Sequence, residues 1–105
     1  MPDYTDAIRE AIARNDYLIT HHARQQKGRR KVADQEIIRA VLNGEVIERS
    51  PGAKPHPKCL FMHPVRPDEP LYVACGYDAR RGRAHVITVH WLDPDKWVDW
   101  RTRRS

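Results

Sequence analysis

Two short segments of the chain carry side chains suited to metal-free phosphodiester chemistry. Cleavage of RNA without a metal needs a base for the 2′-hydroxyl, a cation for the charge on the phosphate, and an acid for the departing 5′-oxygen. Histidine titrates near neutral pH, and an arginine guanidinium clamps a phosphate, so both types fit this chemistry. His22 would serve as base or acid, while His90 would be the second proton-transfer group and Thr88 a hydrogen-bond donor. The predicted catalytic residues are His22, Arg30, Thr88 and His90.

Both histidines also have an ordinary structural explanation. His22 would then donate to a backbone carbonyl from an amphipathic helix, and His90 would be an exposed strand residue. The catalytic hypothesis requires the helix that carries His22 to lie over the sheet face that carries Thr88 and His90.

Positive charge is concentrated in three places. No acidic residue occurs from Tyr17 to Ala33, further arginines precede Ala84, and Arg101, Arg103 and Arg104 lie near the C-terminus. If these groups converge, they form a surface that follows a phosphate backbone; the alternative is a solvated helix face with a frayed tail. The predicted nucleic-acid-binding residues are Arg24, Lys27, Arg29, Lys31, Arg80, Arg81 and Arg83.

A third set of side chains has the types found in zinc sites. His56, Cys59 and His63 form an H-x2-C-x3-H run, and Cys75 is a conceivable fourth ligand. The residues between them are typical of strand core and prolines flank the run, so we favour incidental placement and expect no metal and no cofactor. Cysteines outside any CxxC motif indicate buried thiols in a reducing cytosol, with a Cys59–Cys75 bridge as the alternative.

Three tryptophans, Trp91, Trp97 and Trp100, lie close together beside basic residues near the C-terminus. They would either stack on the bases of single-stranded RNA or pack the C-terminal segment onto the sheet. We favour packing for Trp91 and Trp97 and leave Trp100 open.

The elements that position these residues follow from the spacing of apolar side chains. The first half predicts helices near residues 4–15, 20–28 and 34–43, the second of them ended or loosened at Gly28. The second half predicts strands near 45–49, 59–65, 71–78 and 83–91, the last two paired symmetrically as a hairpin. That symmetric pairing places Thr88 and His90 on the same face as Val73 and Cys75. The expected fold is α+β, with two or three N-terminal helices packed on a mostly antiparallel sheet of about four strands.

The size and charge of the chain exclude several classes of protein. With 105 residues and a net charge of +5, we expect a single domain over 1–105, with a core near 17–97 and a basic C-terminal tail at 98–105. No apolar run approaches the roughly 20 residues of a membrane span, and the N-terminus does not resemble a signal peptide. A cytoplasmic protein with a polyanionic partner is the expectation.

Several motifs resemble the small bacterial domain-of-unknown-function 4258 family. They are ITHHAR at 19–24, RKV at 30–32, NGEVIE at 43–48, AHVITVHW at 84–91 and DPDKW at 93–97. The resemblance implies a compact fold similar to RelE-like and BrnT-like toxins, whose members cut RNA without a metal and are neutralised by a cognate antitoxin protein. Gln26, Lys31, Tyr72 and His90 depart from the residues common in that family, which have Arg, Gly, His and Tyr there.

Three functions therefore remain open. The first is a toxin-like, metal-independent endoribonuclease that acts on RNA. The second is a noncatalytic nucleic-acid- or protein-binding module of the same fold. The departures from the family at Gln26, Lys31 and Tyr72 support it. The third is a small adaptor or oligomerisation domain that pairs through its sheet edge.

Overall fold

The computed structural model describes residues 4–104 and has the α+β architecture expected from the sequence. Three helices pack on a five-stranded mixed sheet, which has one strand more than expected. In that range no helix is long and apolar enough to cross a membrane. The elements in chain order are α1 (Thr5–Ala13), β1 (Tyr17–Ile19), α2 (His21–Arg30), α3 (Asp34–Asn43), β2 (Glu45–Ser50), β3 (Lys58–Arg66), β4 (Glu69–Asp78) and β5 (Arg83–Trp91).

The additional strand is β1, which pairs in parallel with the start of β5. The strand order is β1-β5-β4-β3-β2, and every other neighbouring pair is antiparallel. Three residues are too short a stretch for a period-2 pattern to identify, so β1 could be recognised in the sequence only as an extended segment.

Helices α1 and α3 cover one face of the sheet, which we call the helix face. Ile8, Ala11 and Ile12 in α1 follow the i, i+3, i+4 spacing that places side chains on one side of a helix, and all three are buried. α3 repeats this spacing. The strands contribute the other half of the core with the buried side chains Cys59, Phe61, Leu71, Val73, Cys75, Ala84, Val86 and Val89. Each fully buried aliphatic or aromatic side chain contributes about 1.5–3 kcal/mol to folding.

A β-bulge in the hairpin changes which side chains of β5 point to the core. Cys75 pairs with Val86, but its neighbour Ala74 pairs with Thr88, so Ile87 is an extra residue in β5. The predicted symmetric pairing is therefore wrong beyond this point. Val89 joins the helix-face core, while Thr88 moves to the opposite face, which we call the open face.

The bulge places His90 on the open face as well. It pairs directly with Tyr72, whose side chain packs with Leu60 and Met62 in a second buried cluster on that face. Antiparallel partners point to the same side of a sheet, so the bulge reverses the expected orientation of both Thr88 and His90.

Helix α2 continues through Gly28, contrary to the expected end at that residue. Lys31 adopts a left-handed conformation (φ 55°) after the last helical residue. Its N–H donates to the Gly28 carbonyl, and the Val32 N–H donates to the Lys27 carbonyl at 2.9 Å. These two bonds form a Schellman motif, so the helix ends at Arg30, two residues beyond Gly28.

The segment after β5 folds back across the open face. Trp97 is 2 % exposed and stacks on Tyr72 with ring centroids 4.9 Å apart, and Trp100 packs against the same cluster. Arg101 and Arg103 then bind the β2 carboxylates of Glu45 and Glu48. The basic tail, as far as residue 104, is thus held against the edge strand.

Candidate functional site

A groove on the open face runs between α2 and the C-terminal segment. It consists of two adjoining hollows of about 290 and 330 Å³ that share Gln26, His90 and Lys96. We call it the His90 groove. Its further polar and aromatic lining comprises Arg30, Glu48, Ser50, Lys58, Thr88, Trp91, Asp93, Trp97 and Arg103.

His90 is held in one orientation, and its neutral ring in one tautomer. Its ring stacks on Tyr72 at 5.0 Å with an interplanar angle of 4°, and its Nδ1 lies 3.1 Å from the Trp91 carbonyl. A carbonyl only accepts, so Nδ1 carries the proton and the lone pair of a neutral ring lies on Nε2. Burial lowers the pKa of His90; the carbonyl opposes that shift, and the nearby cations Lys96, Arg30 and Arg103 add to it. A base is therefore available at neutral pH.

Tyr72 supports His90, and its own hydroxyl is held in a hydrogen bond. Its hydroxyl donates a 2.7 Å hydrogen bond to the Trp100 carbonyl, and burial raises the pKa of Tyr72 to about 12. The same ring contacts Trp97, whose indole Nε1 is buried without a hydrogen-bond partner among the described residues. Trp97 therefore packs the C-terminal segment onto the sheet, as favoured from the sequence, and lines the groove. Trp91 instead packs against the helix-face core, and it also lines the groove.

The groove carries an excess of positive charge. Its lining includes the cations Arg30, Lys58, Lys96 and Arg103 against the acids Glu48 and Asp93. Arg103 is neutralised by Glu48, with Nη2 to Oε1 at 2.9 Å. Neither Lys58 nor Lys96 forms an ion pair within residues 4–104, so their charges remain available to an anion.

Three of the four predicted catalytic residues come together in this groove. Thr88 and His90 are neighbours on the open face of β5, and Arg30 lies at the end of α2, where its Nη1 is 3.4 Å from the Val89 carbonyl. His22 does not line the groove. It is exposed in the first turn of α2, one turn before Gln26, and has no hydrogen bond or ion pair with any residue of 4–104.

The predicted nucleic-acid-binding residues divide into two groups. None of those on α2 or at its end lines the groove: Arg24 and Arg29 line a separate shallow depression, Lys31 is exposed, and Lys27 pairs with Asp34 at 2.9 Å. The others, Arg80, Arg81 and Arg83, lie at the hairpin turn. About 20 Å of strand separates that turn from His90.

The arginines of the hairpin turn are largely neutralised by neighbouring carboxylates. Arg81 pairs with Asp78 and Arg83 with Asp16, each at 3.0 Å. Arg80 is exposed and has no ion pair among the described residues.

Sequence reasoning missed Gln26, Lys58 and Lys96 as groove residues. Gln26 is buried, and its Oε1 accepts a 2.8 Å hydrogen bond from the Val89 N–H. The only sign of Gln26 in the sequence is that it replaces the Arg common in the family that the motifs resemble. Lys96 lies in the noted cluster of aromatic and basic residues, whereas nothing in the sequence distinguishes Lys58 from a surface lysine.

The candidate zinc ligands do not come together. Cys59 and Cys75 are directly opposite each other on β3 and β4, and both are buried thiols in the helix-face core. Burial raises the pKa of Cys75 well above its usual range. Within residues 4–104, His56 instead lies beside His85 and Asp78, with their ligand atoms within 4.8 Å of one another.

The sequence matches one family model, described as Domain of unknown function (DUF4258), over residues 19–91. That span includes α2, the bulge and His90, and it stops before the C-terminal segment that forms one wall of the groove. No curated protein and no solved structure matches the chain significantly.

Proposed function

We propose that this chain, which belongs to the DUF4258 family, is a metal-independent endoribonuclease that binds RNA in the His90 groove. One observation carries the proposal: the bulge at Ile87 places His90 and Thr88 on the floor of a groove that also holds Arg30 and Lys96. A proton-transfer group, a hydroxyl and two cations therefore face the same space.

The charge of the groove supports a polyanionic substrate. Lys58 and Lys96 carry charges that no carboxylate in residues 4–104 neutralises, and Arg30 uses only one N–H, in a long bond to a carbonyl. Its remaining donors can bind a phosphate. Contacts of this kind provide most of the affinity of a protein for a nucleic-acid backbone.

The chemistry follows from the orientation of His90. Nε2 takes the proton of the 2′-hydroxyl, and the resulting oxygen attacks the adjacent phosphorus. The bond from phosphorus to the 5′-oxygen breaks as the new bond forms, which gives a 2′,3′-cyclic phosphate and a 5′-hydroxyl.

The surrounding side chains stabilise the charge that develops in this step. Arg30 and Lys96 bind the phosphate oxygens, and Thr88 donates a hydrogen bond to them. Because His22 lies outside the groove, the departing oxygen takes its proton from solvent, and we expect slow turnover.

We further propose a fold similar to that of RelE-like and BrnT-like toxins and a toxin-like role in the cytoplasm. The sequence motifs, and not the comparisons with known proteins, support this step. In this role, a cognate antitoxin protein neutralises the chain by covering the groove and the basic surface of α2. Expression of the chain alone should arrest growth, and co-expression of the antitoxin should restore it.

A second function is favoured by the position of His22. With one histidine in the groove and the Tyr72 hydroxyl bound to a carbonyl, the same surface would serve a noncatalytic nucleic-acid- or protein-binding module.

The decisive experiment measures cleavage of mixed-sequence RNA by tag-free protein in the presence of a chelator. The expected products end in 2′,3′-cyclic phosphates, and RNA methylated at every 2′-oxygen should remain intact. His90→Ala and Arg30→Ala should each reduce the rate at least about 100-fold, consistent with the contribution of one general base or one charge-stabilising donor.

Two matched histidine variants complete the design. His21→Ala removes an exposed imidazole from the same helix and should leave the rate unchanged, while His22→Ala tests whether RNA recruits His22 to the groove. Tight binding without cleavage supports the noncatalytic module. Cleavage that survives His90→Ala undiminished contradicts the ribonuclease mechanism.

A further inference from the structure

Three potential metal ligands lie at the hairpin-turn end of the open face. They are His56 in the loop before β3, Asp78 at the end of β4 and His85 near the start of β5. His85 Nε2 lies 3.9 Å from Asp78 Oδ2, and one ligand atom from each of the three residues lies within 4.8 Å of the other two. The first and the last of them are 29 residues apart in the sequence, so only the fold brings the three together.

The backbone positions these ligands firmly. Gly76 pairs directly with His85, and a side chain at Gly76 would begin 3.5 Å from the His56 Cβ and 3.1 Å from the Ile87 Cδ1. The glycine thus leaves room for the His56 loop to lie against the sheet. A 2.9 Å hydrogen bond from the Tyr77 N–H to the Pro57 carbonyl fixes that loop to β4.

The three side chains also lie against one another. The His56 and His85 rings meet edge to face with their centroids 4.9 Å apart, and Asp78 is buried beside His85. A neutral imidazole and a carboxylate are the forms that ligate a metal.

We propose that His56, Asp78 and His85 form a binding site for a borderline divalent transition metal such as Zn²⁺. Two imidazoles and one carboxylate are a ligand set that zinc takes, with solvent in the fourth position. Tetrahedral zinc ligands lie about 3.3 Å apart, given metal–ligand distances of about 2.0–2.1 Å. Small side-chain rotations close the difference from the 3.9–4.8 Å seen here.

Nearby cations compete with the metal. Arg81 Nη1 is 3.0 Å from Asp78 Oδ2, and Lys54 and Lys58 line a hollow of about 250 Å³ together with His56 and His85. Metal binding must break the ion pair between Arg81 and Asp78, and this cost lowers the affinity for the metal. Removal of the Arg81 side chain should therefore tighten metal binding, whereas loss of any ligand should weaken it.

None of the three metal ligands lines the His90 groove, although Lys58 lines both that groove and the hollow beside His56 and His85, and the site does not depend on the proposed ribonuclease. His85 pairs with Gly76 and His90 with Tyr72, and these partners are four residues apart on β4, which corresponds to about 13 Å. A chelator should therefore empty the site without changing the rate of RNA cleavage. The metal would fasten the His56 loop to the hairpin.

The test titrates Co²⁺, a spectroscopic substitute for Zn²⁺, into the tag-free full chain, followed by competition with Zn²⁺ and a chromophoric chelator. We expect one equivalent per chain, visible absorption typical of tetrahedral Co²⁺, and displacement by Zn²⁺. His85→Ala, His56→Ala and Asp78→Asn should each weaken Zn²⁺ binding at least about tenfold, and Arg81→Ala should strengthen it. Circular dichroism confirms folding of each variant.

His63→Ala is the matched control because His63 belongs to the H-x2-C-x3-H run but lies outside this cluster. Its affinity for Zn²⁺ should equal that of the unchanged protein. Absence of stoichiometric binding, or equal affinity in His56→Ala, His85→Ala and the unchanged protein, would overturn the proposal. Loss of binding in His63→Ala alone would overturn it in favour of the linear run.

Discussion

The side-chain carbonyl of Gln26 accepts a 2.8 Å hydrogen bond from the backbone N–H of Val89 and so takes the place of a neighbouring strand. β1 pairs with β5 only from Ala84 to Val86, so the edge of β5 is open beyond that point. Thr20, Gln26 and Arg30 occupy this edge and contact backbone groups from Val86 to Val89. α2 is therefore fixed to the strand that carries Thr88 and His90.

Replacement of Gln26 by alanine should destabilise the fold. The variant leaves the buried Val89 N–H without its partner, which costs about 1–3 kcal/mol of the free energy of unfolding. Urea denaturation measures the change. Gln25→Ala is the control because Gln25 is exposed on the same helix, and its effect should stay within about 0.5 kcal/mol. Equal free energies of unfolding for both variants would show that the Gln26–Val89 hydrogen bond does not stabilise the edge of β5.

Replacement of Lys31 by glycine should stabilise the fold. Lys31 ends α2 at φ 55°, a conformation that strains a residue with a Cβ but not glycine. Its side chain forms no ion pair in residues 4–104, and the bond from Arg66 goes to its main-chain carbonyl, which glycine retains. We expect the free energy of unfolding to rise by up to about 1 kcal/mol, measured by thermal or urea unfolding. Glycine increases the conformational entropy of the unfolded chain, and this offsets part of the gain from the relieved strain. Lys31→Ala keeps the strain, so a gain of the same size in that variant would point to loss of charge instead.

The pH dependence of RNA cleavage should reflect the lowered pKa of His90. Burial shifts this pKa below 6.5, so the neutral base is already formed at pH 7 and is lost only under more acidic conditions. Under single-turnover conditions, the rate should rise with pH through a midpoint below 6.5 and then level off. His90→Ala should remove this acidic limb, and His21→Ala should keep it. A midpoint above 7 would be incompatible with His90 as the base.

The cations of the groove should determine the salt dependence of RNA binding. Lys58→Ala and Lys96→Ala should each weaken binding and reduce the slope of log affinity against log salt by about 0.7, the value for one contact to single-stranded nucleic acid. Arg39→Ala is the charge-matched control because Arg39 is exposed on α3, which covers the opposite face of the sheet. Equal losses in all three variants would indicate an effect of net charge and not of the groove.

The helices and hairpin could be predicted because their signals are local. In α3 the spacing of Ile37, Ala40 and Val41 agrees with their burial, and the β4–β5 hairpin forms where turn residues separate two apolar runs. The short strand β1 and the end of α2 were predicted less well. A partner strand stabilises β1, and hydrogen bonds from Lys31 and Val32, not the glycine, end α2.

Only part of the candidate site could be predicted. The sequence identified Arg30, Thr88 and His90 by residue type, but it gave no sign that Lys58 and Lys96 would face the same space. Lys58 lies at the start of β3, and the folding of the C-terminal segment over Tyr72 brings Lys96 to His90, so that both lysines line the groove. Such long-range packing leaves no fixed spacing in the sequence.

The sequence by itself determined the helix-then-strand order, the positions of the core stripes and the residue types available for chemistry, because these depend on composition and short periodicities. Tertiary structure alone decided which face Thr88 and His90 occupy. Alternation in a strand has a period of two, so the single extra residue Ile87 reverses every later side chain of β5. The same bulge that moves Val89 into the core places His90 in the groove.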